Sequence, residues 1–261
     1  MQLFRNNAGS IRLVPGWGRT AFPHTGKISG PVVFTVLAFF ILLCACSPGR
    51  VTKADHRKDV LLITSYGNMQ LRLSDQTPRH RDNFIKLVKT GYYKGVLFHR
   101  VIRGFMIQSG DPDSRNAPGG LPLGEGGPDY MIPAEFDTTL FHRKGALAAA
   151  REGDDVNPEK ASSGSQFYIV QGKVWTSGGL DTLEQKRLNG RKIPALYRQV
   201  YTTAGGTPHL DQNYTVFGQL IRGYDVLDKI AAVATSKGKD RDRPIRNVKI
   251  IRAKMVKRSQ P

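Results

Sequence analysis

The chain has 261 residues, of which 39% are hydrophobic and 23% charged, a balance that supports a real core and excludes wholesale disorder. That length accommodates one large domain or two small ones. The net charge of +18 first suggests nucleic acid or an anionic membrane surface, but the basic residues are interleaved with acids and no aromatic-basic RNA signature appears, so the charge reads as a solvated surface.

Residues 1–46 contain four basic residues, Arg5, Arg12, Arg19 and Lys27, and no Asp or Glu, so the balance from residue 47 onward is +14. The apolar run 32–43 has the length of a signal-peptide core and falls short of the roughly 20 residues of a bilayer span. It ends in LCAC at 43–46, which resembles a bacterial lipobox; that resemblance implies that Cys46 becomes an acylated first residue. The same residues also allow a marginal membrane anchor in which Cys44 and Cys46 are ordinary small apolar residues. About 30 residues precede the apolar core, which is long for a signal n-region and would be explained by a misassigned start codon. These are the only two cysteines, so an acylated Cys46 leaves the fold without a disulfide. Residues 47–58 read as a polar tether.

Strands are expected near 60–65 and 69–74 around a Gly67-Asn68 turn, since Met69, Leu71 and Leu73 alternate with Gln70, Arg72 and Ser74. TPRHRDNFIKLVKTG predicts a helix, capped by Thr77, with Pro78 in its first turn, Phe84, Leu87 and Val88 on one face, and Gly91 at its end. Further short strands are expected near 96–102, 105–109, 145–150, 166–170, 215–221 and 247–255, and a second helix in GYDVLDKIAAVA. The glycine-rich stretch DPDSRNAPGGLPLGEGGPDY lacks the strand-loop-helix context of a phosphate loop and reads as a connection. Residues 176–208 interrupt the strands with helical composition, an inserted excursion. Two helices and about eight short strands favour one closed or sandwiched β domain.

Chemistry is scarce at first sight. The histidines form no short-range ligand pair, so no metal site is expected. Ser165 in GSQF lacks a nucleophile elbow and an identifiable base. In FHRVIRGFMIQSGDP at 98–112, alternation places Phe98, Arg100 and Ile102 on one face, and Leu97, His99 and Val101 on the other. His99 therefore reads as a buried, hydrogen-bonded core histidine, while Arg100 is a permanent cation on an apolar face.

That stretch resembles the signature of cyclophilin-type peptidyl-prolyl isomerases. Three further blocks occur in the family's order around it: NFIKLVKTGYYKGVLFHRVI, SSGSQFYIV and LDQNYTVFGQLIRGYDVLDKI. The likeness covers roughly residues 59–256, leaving 257–261 as a basic tail. It implies a mainly β fold, a closed eight-stranded antiparallel barrel capped by two α-helices, here carrying a helical insertion at about 176–208.

The resemblance also implies rotation about an X-Pro bond, whose barrier of about 20 kcal/mol comes from amide conjugation and demands no covalent step. By alignment with the family, Arg100, Gln108 and Phe105 would be catalytic. Met106, Ala150, Arg151, Gln166, Tyr168, His209, Leu210 and Tyr214 would bind the substrate. No cofactor is implied, and the partners would be proline-containing polypeptides met by a monomer, with no specific nucleic acid. Together with the lipobox this points to a lipid-anchored protein of the bacterial envelope that assists protein folding. A non-catalytic proline-peptide-binding chaperone on the same barrel is the alternative. Departures from the family pattern fall at Tyr168, where Phe is usual and whose added hydroxyl needs a partner if buried. Others fall at His209 in place of a frequent Trp, Tyr214 in place of a frequent His, and Ser109 in place of a common Gly. The insertion lies just before His209, beside the expected mouth of the site.

Overall fold

A computed structural model describes residues 49–240 and 242–258; the leader with Cys44 and Cys46 lies outside them. Part of the expected tether is already folded. Thr52 donates to the Asp55 carboxylate through its backbone N–H and its hydroxyl, Asp55–Arg57 form a 3-10 turn, and Lys58 opens the first strand.

The strands in chain order are β1 (Lys58–Thr64), β2 (Gly67–Leu73), β3 (Arg100–Ile102), β4 (Met106–Ser109), β5 (Met131–Ile132), β6 (Ala146–Ala149), β7 (Ser162–Ser163), β8 (Phe167–Val170), β9 (Val216–Arg222) and β10 (Ile250–Lys257). The helices are α1 (Pro78–Lys89), α2 (Ser177–Arg187), α3 (Ala195–Thr203) and α4 (Tyr224–Ala231). Eight strands form one antiparallel sheet in the order β10-β1-β2-β9-β6-β8-β4-β3, and β5 pairs with β7 apart from it. The alternation expected along β2 is present, with Met69, Leu71 and Leu73 buried in the core.

The sheet is an open half-barrel, not the closed barrel expected. Its ends approach through irregular backbone: Phe98 donates to Val248, Gly95 to Ile250, and Ile250 back to Val96, each at 2.8 Å. A regular β3–β10 ladder does not form there: the contact is a single antiparallel bridge between Leu97 and Lys249, and the Leu97 N–H and C=O, facing away from β10, are engaged by the hydroxyls of Ser114 and Ser109. The same irregularity corrects the face assignment around Arg100. The strand begins only at Arg100, so Phe98 turns into the inner core beside Val101 while Arg100 and Ile102 face outward.

The turn of the first hairpin is Ser65-Tyr66, with Gly67 already in β2, two residues earlier than the Gly67-Asn68 expected. The Thr64 hydroxyl closes it by donating to the Gly67 carbonyl at 2.7 Å and accepting the Tyr66 N–H. Gly67 has φ of +130°, and a Cβ there would lie 2.7 Å from a Val226 methyl, so no other residue fits without displacement.

Two helices, α1 and α4, pack on the barrel sheet, as expected, and bury Phe84, Ile85, Leu87, Val88, Val226, Leu227 and Ile230 in its core. Thr77 precedes α1 but makes no side-chain cap; the Glu135 carboxylate takes the N–H groups of Arg79 and His80 instead. The other two helices lie in the expected excursion at 176–208. They enclose a small cluster of their own, Leu180, Leu183, Leu188, Ile193 and Tyr201, against Phe141, Trp175 and Tyr197. At its centre, buried Glu184 accepts the Ile193 N–H and pairs with Lys192 and Arg198.

Candidate active site

A β-sheet sends alternate residues to opposite faces, and here the two faces are two separate apolar clusters. Val101, Ile107, Leu147, Phe167 and Ile169 point inward. Met106, Ala146, Ala148, Tyr168 and Val170 point outward, with Ile102, Phe105, Leu210 and Tyr214 partly covering them. The ladder places Arg100 opposite Gln108, Gln108 opposite Tyr168, and Tyr168 opposite Ala148, so the four stand in one row across β3, β4, β8 and β6. The small side chains of Ala146, Ala148 and Ala150 leave a trough along this row. One wall is cationic, and the floor is apolar.

Met106 is 2% exposed and forms the floor, while Phe105 stands half-buried at the edge and stacks on His209 with centroids 5.7 Å apart. Leu210 and Tyr214 come from the segment that follows the insertion and close the other side. The structure therefore brings together Arg100, Phe105, Met106, Gln108, Ala150, Tyr168, Leu210 and Tyr214 on one outward face, with His209 beside Phe105. Cys46 lies outside the described residues.

Arg100 has a side chain 44% exposed, and its Nε lies 3.7 Å from Asp242, too long for a hydrogen bond but close enough for attraction. Asp242 is held in place by its carbonyl, which accepts the Val101 N–H, and by its own N–H to Ser236. The cation is thus loosely tethered at the rim and, among the described residues, keeps donors free. Gln108 donates its amide to Gln166 Oε1 at 3.1 Å, and Gln166 donates in turn to the carbonyls of Gly124 and Gly126. This chain fixes the amide orientation of Gln108. Gln166, expected to touch substrate, spends both amide hydrogens on the Gly124 and Gly126 carbonyls, orients Gln108 and lines the cavity beside it.

The Arg151 side chain is also held by its neighbours. Its guanidinium is inside the protein, donating to the Asn213 and Glu152 carbonyls, pairing with Asp154, and lying 4.5 Å from the Tyr214 ring centroid. It braces Tyr214. A cavity of about 440 Å³ next to Gln108 and Gln166, lined also by Ala150, Arg151 and the 124–131 loop, continues the trough on that side.

The unusual hydroxyl of Tyr168 has the partner its burial demands. It meets His142 Nε2 at 2.9 Å; His142 Nδ1 meets Asp211 Oδ1 at 2.9 Å; and Asp211 Oδ2 accepts the Tyr201 hydroxyl at 2.6 Å. With the ring proton on Nδ1, His142 donates to the carboxylate and accepts from Tyr168. Burial raises the Tyr168 phenol well above its ordinary pKa, so it stays a neutral donor. His142 and Tyr201 carry no signature that the sequence alone reveals, and Asp211, though within the LDQNYTVFG block, shows there no sign of the partners it meets in the fold. The Tyr168 substitution was the one available hint.

His99 is 3% exposed and belongs to the buried interior, but neither ring nitrogen has a hydrogen-bond partner among the described residues, contrary to expectation. Burial, first of all, holds its pKa down to about 4.

The profile of the family described as "Cyclophilin type peptidyl-prolyl cis-trans isomerase/CLD" matches residues 60–255. A protein of Staphylococcus saprophyticus named as a peptidyl-prolyl cis-trans isomerase is 38% identical over 192 residues, covering 73% of this chain and 88% of that one. A bifunctional phosphatase/peptidyl-prolyl cis-trans isomerase of Streptococcus pyogenes is 40% identical over 179 residues, which span 67% of this chain but only 34% of that protein. Among solved structures, the cyclophilin type peptidyl-prolyl cis-trans isomerase of Cryptosporidium parvum superposes with a TM-score of 0.54 at 26% identity, covering 78% of this chain and 99% of that one. The same protein solved in the presence of the dipeptide Ala-Pro gives 0.53. The matched span, the sheet and the outward row of Arg100, Gln108 and Tyr168 agree, and this chain belongs to the cyclophilin-type peptidyl-prolyl cis-trans isomerase family.

Proposed function

We propose that the protein accelerates cis-trans rotation of X-Pro bonds in polypeptides at the bacterial envelope, without covalent chemistry. The observation that carries this reading is Arg100 with free donors at the rim of an apolar trough, in register with Gln108 and beside Phe105 and Met106.

A proline ring set into the trough against Met106, Phe105, Leu210 and Tyr168 anchors one side of the bond while the other side swings. The planar amide nitrogen has no available lone pair, whereas the twisted amide regains one. A guanidinium donating to that nitrogen therefore stabilises the twisted state more than either planar state. Arginine suits this role because it stays charged and cannot act as a base. Gln108, oriented by Gln166, holds the swinging backbone. Solution of a relative with Ala-Pro supports a proline-sized occupant.

Arg100→Ala should lower isomerisation of a proline tetrapeptide about 10²- to 10³-fold, the usual loss for one transition-state donor, while circular dichroism stays unchanged. Wild-type protein without activity in that assay would refute the enzyme reading and favour a proline-peptide-binding chaperone.

The leader, 1–46, supports a lipid anchor at Cys46, with residue 47 onward on the non-cytoplasmic side. Palmitate labelling in an expressing bacterium should vanish in Cys46→Ala, and persistence of the label would refute the anchor.

A further inference from the structure

Phe105 and His209 form a wall with a second cavity behind it. This cavity, of about 460 Å³, is bounded on its far side by Lys173, Trp175 and Arg187, with Thr207 at its base. The far side is supplied by the approach to the insertion and the end of α2. It is firmly built. Trp175 donates its indole N–H to the Gly206 carbonyl at 3.0 Å, and the Gly206 N–H donates to the Lys173 carbonyl. Gly172, with φ of +66°, lies so near Gly206 that a Cβ would come within 2.4 Å of its Cα, so the two backbones pack directly.

The cavity has one sign of charge. Lys173 Nζ sits 4.2 Å from the Trp175 ring centroid, Arg187 is exposed, and neither has an ion-pair partner among the described residues. Among the described residues no carboxylate lines the cavity. Beyond the effect of its burial, both cations help hold the His209 imidazole down at about 4, so His209 itself is neutral near pH 7. Buried Thr207 Oγ1 and His209 Nδ1 have no hydrogen-bond partner among the described residues. Polar capacity and positive potential are both left unused by the fold.

We infer that this cavity is a second substrate subsite, which takes an acidic side chain of the polypeptide within two residues of the proline. The Phe105–His209 stack separates the two pockets, and one or two extended residues at about 3.3–3.6 Å each span that partition. The carboxylate meets Lys173 and Arg187, and the methylenes of the side chain lie along Trp175. Rim charges of this kind give modest, salt-screened selectivity. The inference rests on the isomerase reading above and adds its substrate preference.

The test uses the full chain and two series of proline peptides with Glu or Lys placed in turn at each position flanking one X-Pro bond, with rates read by NMR exchange. At one position Glu should exceed Lys about 3- to 10-fold in kcat/KM, more at low salt than at high salt. In Lys173→Glu/Arg187→Glu the ratio should fall to one or invert; both residues are exposed, and the ratio itself reports on folded enzyme. Equal rates for Glu and Lys peptides at every position, with those peptides turned over, would overturn the subsite and leave the isomerase reading intact. If no peptide is turned over, the isomerase reading fails, and titration decides the subsite: tighter binding of a Glu peptide supports it and equal affinity overturns it.

Discussion

At the scale of single residues, the opposite fates of Arg100 and His99 come from one step along the backbone. Arg100 opens β3 and faces outward with its donors in water, whereas His99 lies in the irregular segment before it and is buried without a partner. Burying a polar ring unpaired is costly, and ionising it there costs more. Desolvation is the largest cause of its lowered pKa of about 4; Asp111 opposes it, and Arg100 and Arg243 reinforce it. The unfolded chain, with an ordinary histidine pKa of about 6.5, takes up the proton first as the pH falls. Stability from this residue is therefore complete above about 6.5 and is lost progressively towards 4, by something on the order of 3 kcal/mol. His209 titrates in the same window, so the difference between wild type and His99→Leu isolates the effect. Urea midpoints measured from pH 7 to pH 4 should decline less steeply in His99→Leu; an equally steep decline would exclude His99 as a cause.

At the scale of elements, helix identity was set locally but helix anchoring was not. The apolar face of α1 was legible in Phe84, Leu87 and Val88, yet its N-terminus is satisfied by Glu135, more than fifty residues away, because Thr77 makes no cap bond. The insertion helix α3 is tied to the active site in the same long-range manner. Tyr201 reaches Asp211, which orients His142, which takes the Tyr168 hydroxyl in the pocket floor. Tyr201→Phe leaves one buried carboxylate oxygen short of a donor, at a cost of about 1–3 kcal/mol. We expect a lower thermal midpoint, and a raised KM for a proline peptide with a smaller change in kcat, because Tyr168 forms the floor and touches no reacting atom. An unchanged midpoint would mean that this network carries no stabilising weight.

At the scale of the whole molecule, sequence periodicity located nearly every long element. α1, α4, β1 and β2 each bury one continuous apolar stripe, and such stripes repeat at 3.6 or 2 residues whatever surrounds them. The two-residue strands β5 and β7 were not legible, since no periodicity exists over two residues. Nor was the open seam. It rests on a single bridge between Leu97 and Lys249, from segments far apart in the chain that meet only when the sheet curls. By itself the sequence determined which side chains stand close around Arg100, because Phe105, Met106 and Gln108 follow within eight residues on β4 and the turn before it. Only the tertiary structure decided what supports them. Gln166 behind Gln108, Arg151 under Tyr214, and the His142–Asp211–Tyr201 path behind Tyr168 join segments far apart in the chain, and hydrogen bonds between such segments have no period to read.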